Sequence, residues 1–313
     1  MKLRAYLLMI FVVAIWGSTF VVVKGALSDA TPAAFNLLRM TLAFALLGVL
    51  YHRSWHTIRR GDLAVGALVG LCLAAGYQFQ TTGLVRTTPS KSAFITGLVV
   101  VLVPLFSSIP GLRPPDVRRP RWNAFLGATL AFVGILLLTA PAAANSSNWT
   151  TSRLAGLFPD LSSINTGDLL TFGCAVGFAF HCLALSHASP RIAFQPLALL
   201  QVGFCAVFMA ASLPLIEHPH VTWTPRLVIA LSVAAALATA AAFSIQSWAQ
   251  SILPSTHIAL LLTLEPVFAW ITSFLFTGER LGLRAASGAI LILIGIAITE
   301  FIPQPHVPTA HEA

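Results

Sequence analysis

The chain has 313 residues, of which 57% are hydrophobic and 9% charged, against about 25% charged in a typical soluble domain. With Lys+Arg 18 and Asp+Glu 10 there is too little charge to coat a water-soluble globule, so most of the surface faces an apolar phase and the chain is an integral membrane protein. The formal net charge of +8 sits in short loops between apolar runs, where it sets orientation and does not indicate nucleic acid.

A helical crossing takes roughly 20 residues, and ten apolar segments fit that length: 5–27, 33–51, 63–85, 92–110, 122–140, 168–188, 194–216, 226–248, 255–276 and 283–301. The first, behind Lys2 and Arg4, is too long for a signal peptide and ends without a cleavage site, so it reads as a span. Asp62 and Asp168 each follow a glycine and precede an apolar run, the position of an N-cap. Lys24 lies within a turn of a span's end, where snorkelling to the interface is expected. With a cytoplasmic N-terminus, the inner loops of the first half hold Lys2, Arg4, Arg53, Arg59, Arg60, Arg113, Arg118, Arg119 and Arg121; the outer loops hold Lys24, Arg86 and Lys91. Nine against three gives that orientation, and ten spans return the C-terminus to the cytoplasm. The one long connection, around 141–167, is polar and outer, and its Asn148-Trp149-Thr150 matches a glycosylation sequon of a kind frequent by chance.

The chain repeats itself at an offset of 161 to 162 residues. Gly127-Ala128 and Gly134-Ile135 are answered by Gly288-Ala289 and Gly295-Ile296; Leu102, Pro104 and Phe106 are answered by Leu264, Pro266 and Phe268. A unit of five helices crosses an odd number of times, so its second copy enters reversed. The expected fold is all-α: ten transmembrane helices in two inverted five-helix repeats, 1–140 and 168–301, with an outer linker at 141–167 and a cytoplasmic tail at 302–313. Inverted repeats suit alternating access, and Pro104 and Pro266, at corresponding places in spans four and nine, either kink helices for packing or mark the midplane site.

Polar residues inside the spans are the candidate substrate contacts. Glu265 falls in the middle of span nine, where an acid is costly and faces a cavity or a partner. It binds a substrate ammonium or a coupling proton, or else pairs with a cation to position helices. Its counterpart at offset 162 is Val103, so the repeat does not require a carboxylate there. Arg39, with counterpart Gln201, holds a substrate carboxylate, pairs with Glu265, or fixes the first hairpin through backbone carbonyls. Gln246 and Gln250 share one helical face, as do Tyr77 and Thr81, with Gln80 close to that stripe; such groups bind substrate or bridge helices. His181 aligns with Thr19, and Trp16 with Phe20 makes an aromatic stripe facing substrate, lipid or a neighbouring helix. No metal or cofactor is expected: the four cysteines lie in apolar runs without ligand spacing, and there is no phosphate-binding glycine loop, GxSxG or HExxH.

Three stretches carry a resemblance. Trp16-Gly17-Ser18-Thr19-Phe20, then Ser92-Ala93-Phe94-Ile95-Thr96-Gly97 with Pro104, and Glu265-Pro266-Val267-Phe268-Ala269 followed by Gly278-Glu279-Arg280-Leu281 resemble the EamA-type drug/metabolite transporters. The resemblance implies ten helices in two inverted repeats around a central cavity lined by helices one, three, four, six, eight and nine. It also implies export of small metabolites such as amino acids across a bacterial inner membrane. The family's second Glu-Arg pair is missing after span four, where the chain reads Ile109-Pro110-Gly111-Leu112-Arg113. The function expected is a secondary transporter, acting as a monomer among membrane lipids on a small-molecule substrate and not on nucleic acid. A lipid scramblase or channel is the alternative, with an intramembrane enzyme behind it.

Overall fold

A computed structural model describes residues 2–113, 122–139, 165–250, 252–253 and 261–301. Gln250 is described in its backbone only, and most of the 141–167 linker, the 302–313 tail, Arg118, Arg119, Arg121, Arg153 and the sequon lie outside the described residues. Among those described the chain is helical, with one isolated bridge, Ala30 to Val221, and no strand. The helices are α1 Lys2–Ala26, α2 Pro32–Leu50, α3 Arg60–Leu84, α4 Pro89–Thr96, α5 Val99–Phe106, α6 Trp122–Thr139, α7 Thr166–Ala188, α8 Phe194–Ile216, α9 Pro225–Ser232, α10 Ala242–Gln250, α11 Glu265–Thr277 and α12 Leu283–Phe301. A π-helical stretch, Val233–Ala241, joins α9 to α10. Seven segments are long and apolar enough to cross a membrane, counting α4–α5 as one and α9–α10 as one; Phe125–Leu138 and Leu283–Ile298 are shorter apolar helices. Large apolar side chains such as Leu3, Leu215 and Leu283 stand exposed on the outside, as a lipid-facing surface requires.

The repeated glycines form a seam. Gly134 approaches the carbonyl of Gly288, Gly288 that of Gly134, and Gly295 that of Gly127, each so closely that a Cβ would fall within 2.7 Å of the facing oxygen. Close approach of backbones is how membrane helices gain dispersion contact where no hydrophobic driving force is available, and it locks α6 against α12.

The end of the bundle bearing the α1–α2 connection, called the top here, is held by polar contacts between distant parts of the chain. Three of its helices begin with a Thr-Pro pair: Thr31-Pro32, Thr88-Pro89 and Thr224-Pro225. Proline at N1 has a preset φ and lacks an N–H that would be orphaned anyway. Thr88 and Thr224 accept the N–H groups of Lys91 and Leu227. Thr31 does not cap α2; the Glu217 carboxylate, from the end of α8, accepts the Ala33 and Ala34 N–H groups at 2.9 and 3.0 Å instead. Asp29 takes a bidentate pair from Arg226 at 2.8 and 2.7 Å and the Thr224 hydroxyl at 2.7 Å. Those bonds, Arg226's first, hold the Asp29 carboxyl down at about 2.

Lys24, at a span's end, extends its ammonium to the end of α3 and donates to the carbonyls of Leu84, Val85 and Thr87 at 2.6, 2.9 and 3.1 Å, because the C-terminus of α3 leaves carbonyls unpaired and carries partial negative charge. Two local expectations are corrected. Asp62 and Asp168 are third-position acids, not N-caps. Arg59 and Asn165 occupy the cap positions; Asp62 accepts the Arg59 N–H at 2.9 Å, and Asp168 accepts the Thr87 hydroxyl. The break in the fourth span lies at Gly97-Leu98, between α4 and α5, whereas Pro104 sits inside α5. Pro266 does not kink a continuous helix either: it stands in the first turn of α11, where its missing N–H costs no helical bond.

Candidate functional site

On α1, Trp16, Thr19, Phe20 and Val23 follow one another at helical spacing and face one cavity. The cavity encloses about 840 Å³ of empty space, mouth included, and takes further walls from α2, α3, α4, α5, α7, α10 and α11. Apolar packing lies on either side: Ala5, Met9 and Val13 with Ala249, Leu253 and Leu261 below, and Ala26, Ala30 and Phe35 with Leu227 and Ala230 above.

Glu265 enters this space from the first turn of α11. Read from sequence it lies near the middle of span nine; the structure begins a helix there, and this matters: a helix start points unpaired N–H groups and the positive end of the macrodipole at its own first turn. Glu265 has no hydrogen-bond partner or ion pair among the described residues. The backbone around it is positioned by Gly17, where a Cβ would come within 2.7 Å of the Glu265 carbonyl oxygen and 2.8 Å of the Ala269 nitrogen. Gly97 meets the Pro266 ring, a Cβ there falling 2.9 Å from Cγ. Ser18 and Thr272 hydroxyls meet at 3.2 Å. The three sequence stretches that stood out separately therefore touch one another around Glu265. At the top of α11, Gly278 adopts a φ of 68° and ends the helix; the next residue, Glu279, accepts the Ser273 hydroxyl at 2.5 Å and the Ser90 hydroxyl and N–H at 2.7 and 3.3 Å.

Arg39 is buried and does not pair with Glu265, nor does it bond carbonyls within the first hairpin. Its Nε donates to the Thr239 hydroxyl at 2.8 Å, and its Nη2 to the Tyr77 hydroxyl at 3.1 Å and the Ala238 carbonyl at 3.4 Å. The guanidinium lies over the Tyr77 ring, 4.3 Å from its centre, a cation–π contact. Ala238 also accepts Trp16 Nε1 at 2.8 Å. Ala238 lies in the π-helical stretch, a departure from α-helical bonding that is frequent at functional sites.

Trp16, Thr19, Arg39, Tyr77, Gln80, His181, Gln246 and Glu265 are brought together in this one cavity; the Gln250 side chain lies outside the described residues. His181 is bonded to the Gln201 amide oxygen at 2.9 Å. The Gln246 Oε1 is buried without a partner. Sequence reading missed Phe178, Phe243, Leu262 and the Thr96–Val100 turn, which complete the walls; the signal was available in the repeat. Trp16 and Phe178, Thr19 and His181, Phe20 and Cys182, Thr81 and Phe243, Leu84 and Gln246, Val100 and Leu262 all stand 162 positions apart, and all twelve line the cavity.

The family model for the EamA-like transporter family matches this chain twice, over residues 3–140 and 165–301. An uncharacterized transporter from Archaeoglobus fulgidus is 31% identical over 299 residues, covering 96% of this chain and 86% of that protein. The uncharacterized transporter YwfM of Bacillus subtilis is 26% identical over 319 residues, covering 97% and 96%. A solved crystal structure superposes with a TM-score of 0.62 at 18% identity, over 96% of this chain and 97% of that one, a likeness of fold.

Proposed function

The chain belongs to the EamA-like transporter family, and from that premise we propose that it is a secondary transporter exporting small metabolites such as amino acids by alternating access. The membrane is a bacterial inner membrane, with both termini cytoplasmic. The proposal includes ten spans in two inverted five-helix repeats, 1–140 and 168–301, joined by an outer linker at 141–167 and followed by a tail at 302–313, working as a monomer. The observation that carries it is the cavity lined by equivalent positions of both matched segments. Two halves that contribute the same places to one site are what a rocking mechanism around a fixed site needs. The apolar clusters above and below the cavity supply two seals, one to open on each side in turn. Trp16, Thr19, Arg39, Tyr77, Gln80, His181, Gln246, Gln250 and Glu265 are the substrate contacts in this reading, with Arg39 serving to shape the wall.

Purified protein in liposomes should move a metabolite from an amino-acid, nucleoside and cationic-drug panel without ATP. Rapid lipid scrambling with no movement of any panel member would replace transport by the scramblase reading. Reporter fusions after Arg60 should read cytoplasmic and those within 145–160 external; an external signal after Arg60 would overturn the orientation.

A further inference from the structure

We infer that the cavity recognises its substrate by an ammonium group, and that Glu265 is the side chain that receives it. The inference rests on the transport reading and names the substrate class for the same site: small organic amines on an apolar or aromatic body.

It follows from counting which hydrogen-bonding groups of the cavity are committed and which are open. Among the described residues several of the cavity's donors are committed, the Gln80 and Gln246 amides excepted. Trp16 Nε1 is given to Ala238, the Thr19 hydroxyl to the Trp16 carbonyl at 2.6 Å, and the Thr81 hydroxyl to Asn36 Oδ1 at 2.9 Å. Arg39, the natural ligand for a carboxylate, has two of its three nitrogens engaged and its face stacked on Tyr77, and is only 3% exposed. The Glu265 carboxyl is open: it lines the cavity and has no partner among the described residues. Pro266, directly after Glu265, removes one backbone donor from the first turn of α11 that could otherwise have satisfied the carboxylate.

A carboxylate inside the membrane-spanning bundle is costly unless a cation meets it. A ligand bringing N–H donors and a positive charge meets the Glu265 carboxyl; a ligand bringing only a carboxylate finds Arg39, its natural partner, already committed. The rings of Trp16, Phe178 and Phe243 supply apolar faces for the ligand's body and a π-surface beside its charge.

The test uses four ligands on one aromatic body: phenethylamine, phenylalanine, hydrocinnamate and phenethyl alcohol, titrated into the purified full-length protein and read by calorimetry and by the shift of the thermal transition. Phenethylamine and phenylalanine should bind, and hydrocinnamate and phenethyl alcohol should not. Glu265→Gln should weaken phenethylamine about ten- to a hundredfold, the range for a hydrogen bond to a charged group. Glu265→Asp should recover part of that loss. Hydrocinnamate binding as tightly as phenethylamine overturns the inference, as does a folded Glu265→Gln with wild-type affinity for the amine. If Glu265→Gln does not fold, the ranking of the four ligands on the wild-type protein decides. No binding by any of the four, with a neutral metabolite moving in liposomes, sinks the ammonium reading and leaves transport standing. Amine binding without movement of any panel member does the reverse.

Discussion

Arg39 and Gln201 hold equivalent places, 162 residues apart, in the two segments that the family model matches, and each is buried. Gln201 stays local, bonding His181 across neighbouring helices of its own segment. Arg39 bonds Tyr77 within its own segment and reaches Thr239 in the other; those two partners are themselves 162 apart. The same holds for Glu265, open to the cavity at a helix start, and Val103, within continuous α5. The two halves thus share places and differ in chemistry at a few positions where one copy departs from the other.

The largest test of this comparison is at Gly17, whose counterpart is the already larger, fully buried Ala179. Gly17→Val drives side-chain atoms into the α11 backbone, and should lower stability by about 3 kcal/mol and abolish transport, measured by thermal unfolding and liposome flux. Wild-type behaviour would mean that α1 does not hold the Glu265 turn. Next, Arg39→Gln makes the first half resemble the second and should cost about 2 kcal/mol, with Gln201→Leu costing about 1; equal losses would erase the asymmetry between them. Glu279→Ala removes the acceptor at the start of α4 and should cost about 1 kcal/mol, in the same unfolding assay. No change there would make the Ser90 contact incidental. The smallest effect is at the top ion pair. Because Asp29 is held at about 2 when folded and returns to about 4 when unfolded, its contribution is complete above that higher value and lost as pH falls through the lower one. Unfolding temperature should therefore drop between about pH 4 and 2, less so in Asp29→Asn; an identical slope in the variant would remove Arg226 from the clasp.

Much of this was legible in the residues, for definite physical reasons. Apolar length alone placed 194–216 where α8 lies and 33–51 one residue from α2, because a bilayer demands helices of one length. Ionisable and amide groups in apolar runs pointed inward because lipid excludes them, which brought Arg39, His181 and Glu265 to one cavity. Breaks at Gly97-Leu98 and before Glu265 and the π-helix at Val233–Ala241 were not legible. Each depends on which backbone groups find partners in other helices, and hydropathy carries no record of that. The same holds for Lys24: its position at a span's end was visible, the α3 carbonyls it meets were not.

The glycine seam between α6 and α12 is reciprocal: Gly134 meets the Gly288 oxygen, and their counterparts 161 residues away, Gly295 and Gly127, meet in the same way. Such i-to-j, j-to-i contact is the geometry of a twofold homodimer interface, realised here inside one polypeptide. A homodimer must carry every substitution on both sides of its axis, two carboxylates or none. Covalent linkage releases the halves from that constraint, and so a single Glu265 can stand opposite a valine.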